Sequence, residues 1–312
     1  QARVADLVEL LGIGNVAVHR QLKRLMIEGK LIKAGTPPLV FYSLPKESET
    51  EKIGRIDKTT KLVEDTYVYI DPSGRVLYGM EGFDVWAARI GKQDQIESLL
   101  DQYKKTRFQA DTFRAVQGWI DATKRTNDTF GDDMNLDSVF YKDFYSLPTF
   151  GKTKLGQLVL YAKQSENKDL IREIAVDSKD LINKLIDYKD IEAVGFVPHS
   201  IVRKVQFLKQ FEIGLGLNLP VIEINKAYHG QLRVAQKTLG KLEDRIENAR
   251  DTIYVRNTSR IFETLLLIDD AVGSGATLNE TAKKIKKMGI AKKVFGFAVV
   301  GSMKGFEVIR EV

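Results

Sequence analysis

Residues 265–278 read Leu265-Leu266-Leu267-Ile268-Asp269-Asp270-Ala271-Val272-Gly273-Ser274-Gly275-Ala276-Thr277-Leu278. An apolar run delivers two adjacent carboxylates, a loop of small residues follows, and helical spacing resumes at once. The open N–H groups of such a loop and of the helix start suit a phosphate, and the Ser274 and Thr277 hydroxyls add donors. Carboxylate oxygens only accept, so Asp269 and Asp270 suit vicinal hydroxyls. A diol pocket beside a phosphate pocket describes a ribose 5-phosphate site. Asp269-Asp270 after an apolar strand also fits the second motif of a P-loop nucleotide hydrolase, with Gly151-Lys152-Thr153 ending the first. That first motif needs glycine five positions before Gly151. Ser146 stands there, and Pro148 falls inside the loop.

The flanking segments alternate. Helical periodicity covers about 166–187, Ala193–Val197 reads as a strand and Lys204–Leu215 as a helix. Val221–Ile224 reads as a strand, Val234–Arg250 as a charged helical or mobile segment, and Thr264–Ile268 as a strand. Ala276–Met288 reads as a helix and Lys293–Val300 as a strand. Strands alternating with helices predict βαβ units and an α/β fold with a mainly parallel sheet. Ligands of such sheets bind at the carboxyl ends of the strands.

The 14-residue segment resembles the PRPP-binding motif of the type I phosphoribosyltransferases. The resemblance implies that Asp269 and Asp270 hold the ribose hydroxyls, that Ala271 and Val272 belong to the same motif, and that Gly273, Ser274, Gly275, Ala276 and Thr277 hold the 5′-phosphate. Upstream, Val197-Pro198-His199-Ser200 ends the first strand, with Arg203 and Lys204 beyond it. Gln236, Leu239, Arg245 and Asn248 follow in the spacing Gln-x-x-Leu-x5-Arg-x-x-Asn. This is similar to the ComF-like subgroup, over roughly 190–301. The subgroup's Arg-Gly-Phe-Asn-Gln signature reads here Gln206-Phe207-Leu208-Lys209-Gln210. The resemblance implies pyrophosphate contacts from His199, Ser200, Arg203 and Lys204, a flexible loop carrying Gln236, Arg245 and Asn248, and catalytic roles for Asp269, Asp270 and Arg203. It also implies Mg²⁺ held mainly by PRPP, with no metal ligand set supplied by the protein, and an acceptor pocket near Gly301–Phe306.

At the other end the charge is uneven. Residues 1–46 carry seven basic and three acidic residues, a net +4 in a chain whose total is +6. Val4, Leu7, Val8 and Leu11 repeat at helical spacing, and Gly12-Ile13-Gly14-Asn15 breaks the repeat. A second helix with Asn15 as N-cap carries Val18, Leu22, Leu25 and Met26, and Glu28-Gly29-Lys30 ends it. Leu31–Lys33 and Leu39–Tyr42 read as strands around Gly35–Pro38. Helix, turn, helix and hairpin in this order resemble a winged helix-turn-helix. That resemblance implies a DNA contact from Asn15, Val16, His19, Arg20, Lys23 and Arg24; the alternative is a contact with protein.

The expected organisation is therefore a winged helix at 1–45, a linker at 46–65, a middle region at 66–150 and a phosphoribosyltransferase-like domain at 151–312. The middle region, with a hairpin across Asp71-Pro72-Ser73-Gly74 and helical periodicity from Phe83 to about Lys124, is a candidate hood over the last domain. Cysteine is absent, which excludes a disulfide framework, a thiolate zinc site and a thiol nucleophile. Three scattered histidines, His19, His199 and His229, make no protein metal site. The run Lys283-Lys284-x-Lys286-Lys287 reads as the outer face of a helix, and Asp132-Asp133 as a solvated loop. The longest apolar runs fall far short of the roughly 20 residues of a membrane span. The first six residues show no export signal, so the expected location is cytoplasmic.

Three readings stay open. One is a Mg²⁺-dependent phosphoribosyltransferase tied to DNA or a partner by its winged helix, releasing pyrophosphate. The second is a transcription regulator that senses PRPP or a nucleotide without turnover. The third is an effector of a defence or toxin system. A homodimer is compatible with each.

Overall fold

The computed structural model describes residues 2–27, 30–34, 39–43, 49–228, 230, 234 and 238–303. It divides into two compact units, residues 1–59 and 60–312.

The first unit holds helices α1 (Val4–Leu11) and α2 (Asn15–Ile27) and the antiparallel strands β1 (Ile32–Ala34) and β2 (Phe41–Ser43). The Asp6 carboxylate accepts the Arg3 N–H at 2.8 Å, closing the exposed start of α1, and Gly12 at φ 63° ends it. Asn15 is the first residue of α2 and not its cap: the Gly14 carbonyl accepts the Ala17 and Val18 N–H groups. Val18, Leu22 and Tyr42 form the small core, with Val4, Leu7, Val8 and Met26 packed against it. The expected turn at Gly35–Pro38 and the helix stop at Glu28-Gly29 lie outside the described residues.

The polar stretch expected as a linker carries helix α3 (Glu49–Thr66), within which the division between units falls. The second unit continues with the hairpin β3 (Val68–Ile70) and β4 (Val76–Tyr78). Its turn is fixed by the Asp71 carboxylate, which accepts the Ser73 and Arg75 N–H groups; hydrogen bonds from the Ser73 hydroxyl and the Arg75 guanidinium hold it well below the usual carboxylate range. Helices α4 (Gly79–Arg89) and α5 (Ile96–Asp111) follow. Phe83, Trp86 and Tyr103 pack with Tyr67 and Phe150 as an aromatic cluster, rings 5.1–6.3 Å apart. The helical reading to Lys124 is interrupted: β5 (Ile120–Asp121) precedes α6 (Thr123–Phe130).

Strand β6 (Ser138–Phe144) changes the expected domain layout. It runs parallel to the strand at Ala291–Gly301, so residues 66–150 contribute to the central sheet and no break appears at 150/151. The reason lies in its composition. Val139, Phe140 and Tyr141 are consecutive and all buried, and a strand accommodates that only when both its faces are covered. The short pair β7 (Ser146–Leu147) and β8 (Gly151–Lys152) leads into α7 (Lys154–Gln164). Thr153 accepts the Gly156 N–H at 3.0 Å, so Gly151-Lys152-Thr153 is a short strand running into the N-cap of a helix.

The remaining elements are α8 (Lys168–Lys189), β9 (Ala193–Phe196), α9 (Phe207–Leu215), β10 (Val221–Ile222), β11 (Ile224–Lys226), α10 (Leu242–Thr252), β12 (Ile253–Val255), β13 (Phe262–Val272), α11 (Ala276–Lys287) and β14 (Ala291–Gly301). The six-stranded sheet has the order β10-β9-β13-β14-β6-β5, parallel throughout except for β5. Strands β11 and β12 pair with each other as a separate antiparallel ribbon. Leu265 to Ile268 at the sheet centre are wholly buried. The fold is α/β with a mostly parallel sheet, as expected.

Candidate functional site

Strand β13 runs 11 residues and carries Asp269 and Asp270 toward its carboxyl end, where both become partly exposed. Asp269 Oδ1 accepts the Asp270 N–H at 2.8 Å, which fixes the direction of that carboxylate. The loop then turns at Gly275, whose φ of +81° favours glycine, and α11 starts at Ala276. Ser274 Oγ accepts the Ala276 N–H at 3.3 Å, and Gly273 and Thr277 line the same cavity.

The middle region supports this loop from behind. A Cβ at Gly275 would stand 3.4 Å from Thr126 Cγ2 and 3.5 Å from a Phe130 ring carbon, both on α6. Asn279, almost fully buried in the first turn of α11, donates to the Asp133 carbonyl at 2.9 Å and accepts the Asn135 N–H at 2.7 Å. The Asp132-Asp133 stretch, expected as a solvated loop, thus contributes a backbone anchor, although both side chains are exposed.

Facing the acidic pair across a cavity of about 630 Å³ is the loop that follows β9. His199, Ser200 and Arg203 line it, as does Arg245. Lys204 is exposed and not part of the lining, a departure from the expected pyrophosphate set. Arg203 donates to the Lys163 carbonyl, and the Val205 N–H donates to Glu166 Oε2 at 2.7 Å. Arg245 departs from expectation too. It is a buried side chain of α10, its Nε donates to the Leu239 carbonyl at 2.8 Å, and burial lowers its pKa from the usual arginine value. Asn248 is on the same helix, whereas Gln236 lies outside the described residues, as does the acceptor segment beyond Met303.

Two lysines of the site were not singled out from the sequence. Lys163, on the last turn of α7, places Nζ 2.8 Å from Asp270 Oδ2, both side chains largely buried. Lys226, ending β11, donates to Ser200 Oγ and to Asn248 Oδ1, each at 3.1 Å, and feels the charge of Asp269. Each carboxylate of the acidic pair therefore has a cation from a distant element. For Mg²⁺ the donors fit only an ion held chiefly by ligand oxygens. Asp270 already carries an ammonium, and among the described residues no three histidines or acids are grouped to hold a metal.

In the first unit, Asn15, Val16, His19, Arg20, Lys23 and Arg24 are all exposed on α2, while Val18 and Leu22 are buried. Leu10, Leu11 and Val16 are exposed apolar residues around the turn between the helices.

No protein-family model matches the chain, and no curated protein matches it. Among solved structures, the chain is similar in part to phosphoribosyltransferases. A hypoxanthine phosphoribosyltransferase from Staphylococcus aureus shares 12% identity at a TM-score of 0.27, covering 44% of this chain and 66% of that one. Adenine phosphoribosyltransferase from Leishmania tarentolae shares 12% at a TM-score of 0.29, covering 53% and 92%. The Trypanosoma brucei enzyme, solved with AMP, pyrophosphate and ribose-5-phosphate, shares 12% at 0.27, covering 53% and 84%. The chain thus spans just under two thirds of the length of the Staphylococcus enzyme. Likeness at these TM-scores does not bear on activity.

Proposed function

We propose that the second unit binds a 5-phosphoribosyl ligand carrying an anomeric diphosphate and transfers the phosphoribosyl group with release of pyrophosphate. One observation carries this reading: the acidic pair, the Gly275 helix start and the His199–Arg203 loop share a single cavity at the carboxyl ends of β13 and β9. Helix N-terminal N–H groups at 273–277 receive the 5′-phosphate. Asp269 and Asp270 accept from the ribose hydroxyls, and Ser200 and Arg203 take the diphosphate. The bond from the anomeric carbon to the diphosphate oxygen breaks, the electron pair leaves with pyrophosphate, and a nucleophile bonds to that carbon and loses its proton. Catalysis is then mainly positioning and charge stabilisation around an oxocarbenium-like transition state. Mg²⁺, held mainly by the ligand's oxygens, would screen phosphate charge.

The test is thermal stabilisation by PRPP with Mg²⁺, together with release of pyrophosphate across a panel of nucleobases. Stabilisation that disappears in Asp269→Asn with Asp270→Asn supports the site; stabilisation retained in that double variant overturns it. Sensing without turnover is favoured by one feature. Phe207 and Leu208 are buried apolar residues where the ComF-like signature has Gly and Phe after its arginine. Binding without pyrophosphate release would select that reading.

For the first unit, we propose a winged helix that meets nucleic acid through the exposed α2 residues Arg20, Lys23 and Arg24. Exposed Leu10, Leu11 and Val16 favour a second reading, docking onto protein.

A further inference from the structure

Lys226 is held more closely than an ordinary surface lysine. Its Nζ joins three parts of the site: Ser200 on the loop after β9, Asn248 on α10 and, through charge, Asp269 on β13. The same ammonium lies 5.5 Å from the Tyr228 ring centroid, and Tyr228 donates its hydroxyl proton to the Ser200 carbonyl at 3.1 Å. Lys226 is anchored by the pairing of β11 with β12, where it stands opposite Ile253, and it lines the cavity beside Ser200 and Arg203. Ser200 Oγ and Asn248 Oδ1 are neutral acceptors. An anion at the His199–Arg203 loop would be a stronger acceptor than either, since it adds charge–charge attraction to the hydrogen bond that the ammonium donates.

Building on the phosphoribosyl reading, we infer that Lys226 is a ligand-contacting residue of the diphosphate end, exchanging Ser200 and Asn248 for phosphate oxygens when the ligand binds. Its protonation follows from its surroundings. Burial pulls its pKa down from 10.5 to about 8, against the opposing effect of Asp269. The other charged or titratable groups lining the cavity are His199 and Arg203 on the loop after β9, Arg245 on α10, Asp270 on β13, Lys163 on α7, Lys209 and Glu212 on α9 and Glu223 just before β11, with Tyr228 against the ammonium from its own segment. A phosphate anion beside the amine favours the ammonium. At pH 8, binding therefore draws a fraction of a proton from solvent onto Lys226, and above pH 8 affinity declines, approaching roughly tenfold per pH unit.

Two probes separate this inference from the reading beneath it. Inorganic pyrophosphate and ribose 5-phosphate are titrated calorimetrically at pH 8, each in two buffers of different ionisation enthalpy, into wild type, Lys226→Met and Lys226→Arg. Comparison at one pH cancels the probes' own titration. The expected result is pyrophosphate binding with proton uptake in wild type, roughly tenfold or greater weakening without uptake in Lys226→Met, and near-wild-type affinity without uptake in Lys226→Arg. Ribose 5-phosphate affinity is expected to be the same in all three. Unchanged pyrophosphate affinity and uptake in Lys226→Met overturns the role of Lys226, and so does wild type that does not bind pyrophosphate. Failure of ribose 5-phosphate to bind any form overturns the phosphate-loop reading instead, while the pyrophosphate comparison still judges Lys226. Lys226→Arg guards against a folding artefact in Lys226→Met.

Discussion

Lys163 and Asp270 are 107 residues apart in the chain, and their charged atoms lie 2.8 Å apart. The pair links the last turn of α7 to the acidic end of β13, and the carbonyl of the same lysine holds Arg203. One helix end thus positions both walls of the cavity.

Removing one partner leaves the other's charge in a partly buried site. Lys163→Met is expected to cost about 1–3 kcal/mol in urea unfolding, less than a fully buried pair because some exposure remains. Adding Asp270→Asn should recover part of that loss. Strict additivity of the two changes would show that the pair does not couple.

Gly275→Ala tests the helix start. Its φ of +81° disfavours a side chain, while the nearest atoms, at 3.4 Å and beyond, leave ordinary room. Destabilisation of about 1 kcal/mol is expected from backbone strain alone. Ribose 5-phosphate affinity should fall as well, because the loop N–H groups would shift. An unchanged calorimetric affinity would move the phosphate away from this loop.

Stability should depend on pH through Lys226. Its folded pKa, about 8, lies below its ordinary 10.5, so the folded form binds fewer protons between those values. Unfolding free energy therefore rises across that window, and the penalty is fully present below about pH 8. Urea midpoints at pH 7.5 and 9.5 should rise more for wild type than for Lys226→Met. Parallel changes in the two proteins would count against a buried, depressed amine.

Nucleic-acid binding by the first unit is read from salt. A log–log slope of affinity against salt should be negative, and Arg20→Ala with Lys23→Ala should flatten it by up to about 2. A flat wild-type slope would reassign the surface to protein contacts through Leu10, Leu11 and Val16.

What the sequence disclosed was local. Leu265 to Leu278 is contiguous, so strand, acidic pair, glycine and helix start could be read in one pass. The same holds for the hairpin at Asp71–Gly74, whose turn residues act on their own backbone. Lys163 and Lys226 carry no such local mark; an ammonium near the end of a helix or strand looks like any solvated lysine until the fold brings a carboxylate to it. Residues 139–141 failed to declare a strand because a continuous apolar run fits a buried helix equally well. Arg245 was expected in a mobile segment because its neighbours are charged. It is instead a buried side chain of α10 whose Nε is held by the Leu239 carbonyl.

The place of β6 in the sheet has a practical side. A fragment beginning at Gly151 would keep every residue of the Leu265–Leu278 segment and lose the strand beside β14, leaving the edge from Phe295 to Gly301 without its partner. It would also lose α6 and the Asp133 and Asn135 anchors under the helix start. An open, apolar parallel edge invites aggregation. The compact unit that holds this segment begins well before it, near residue 60.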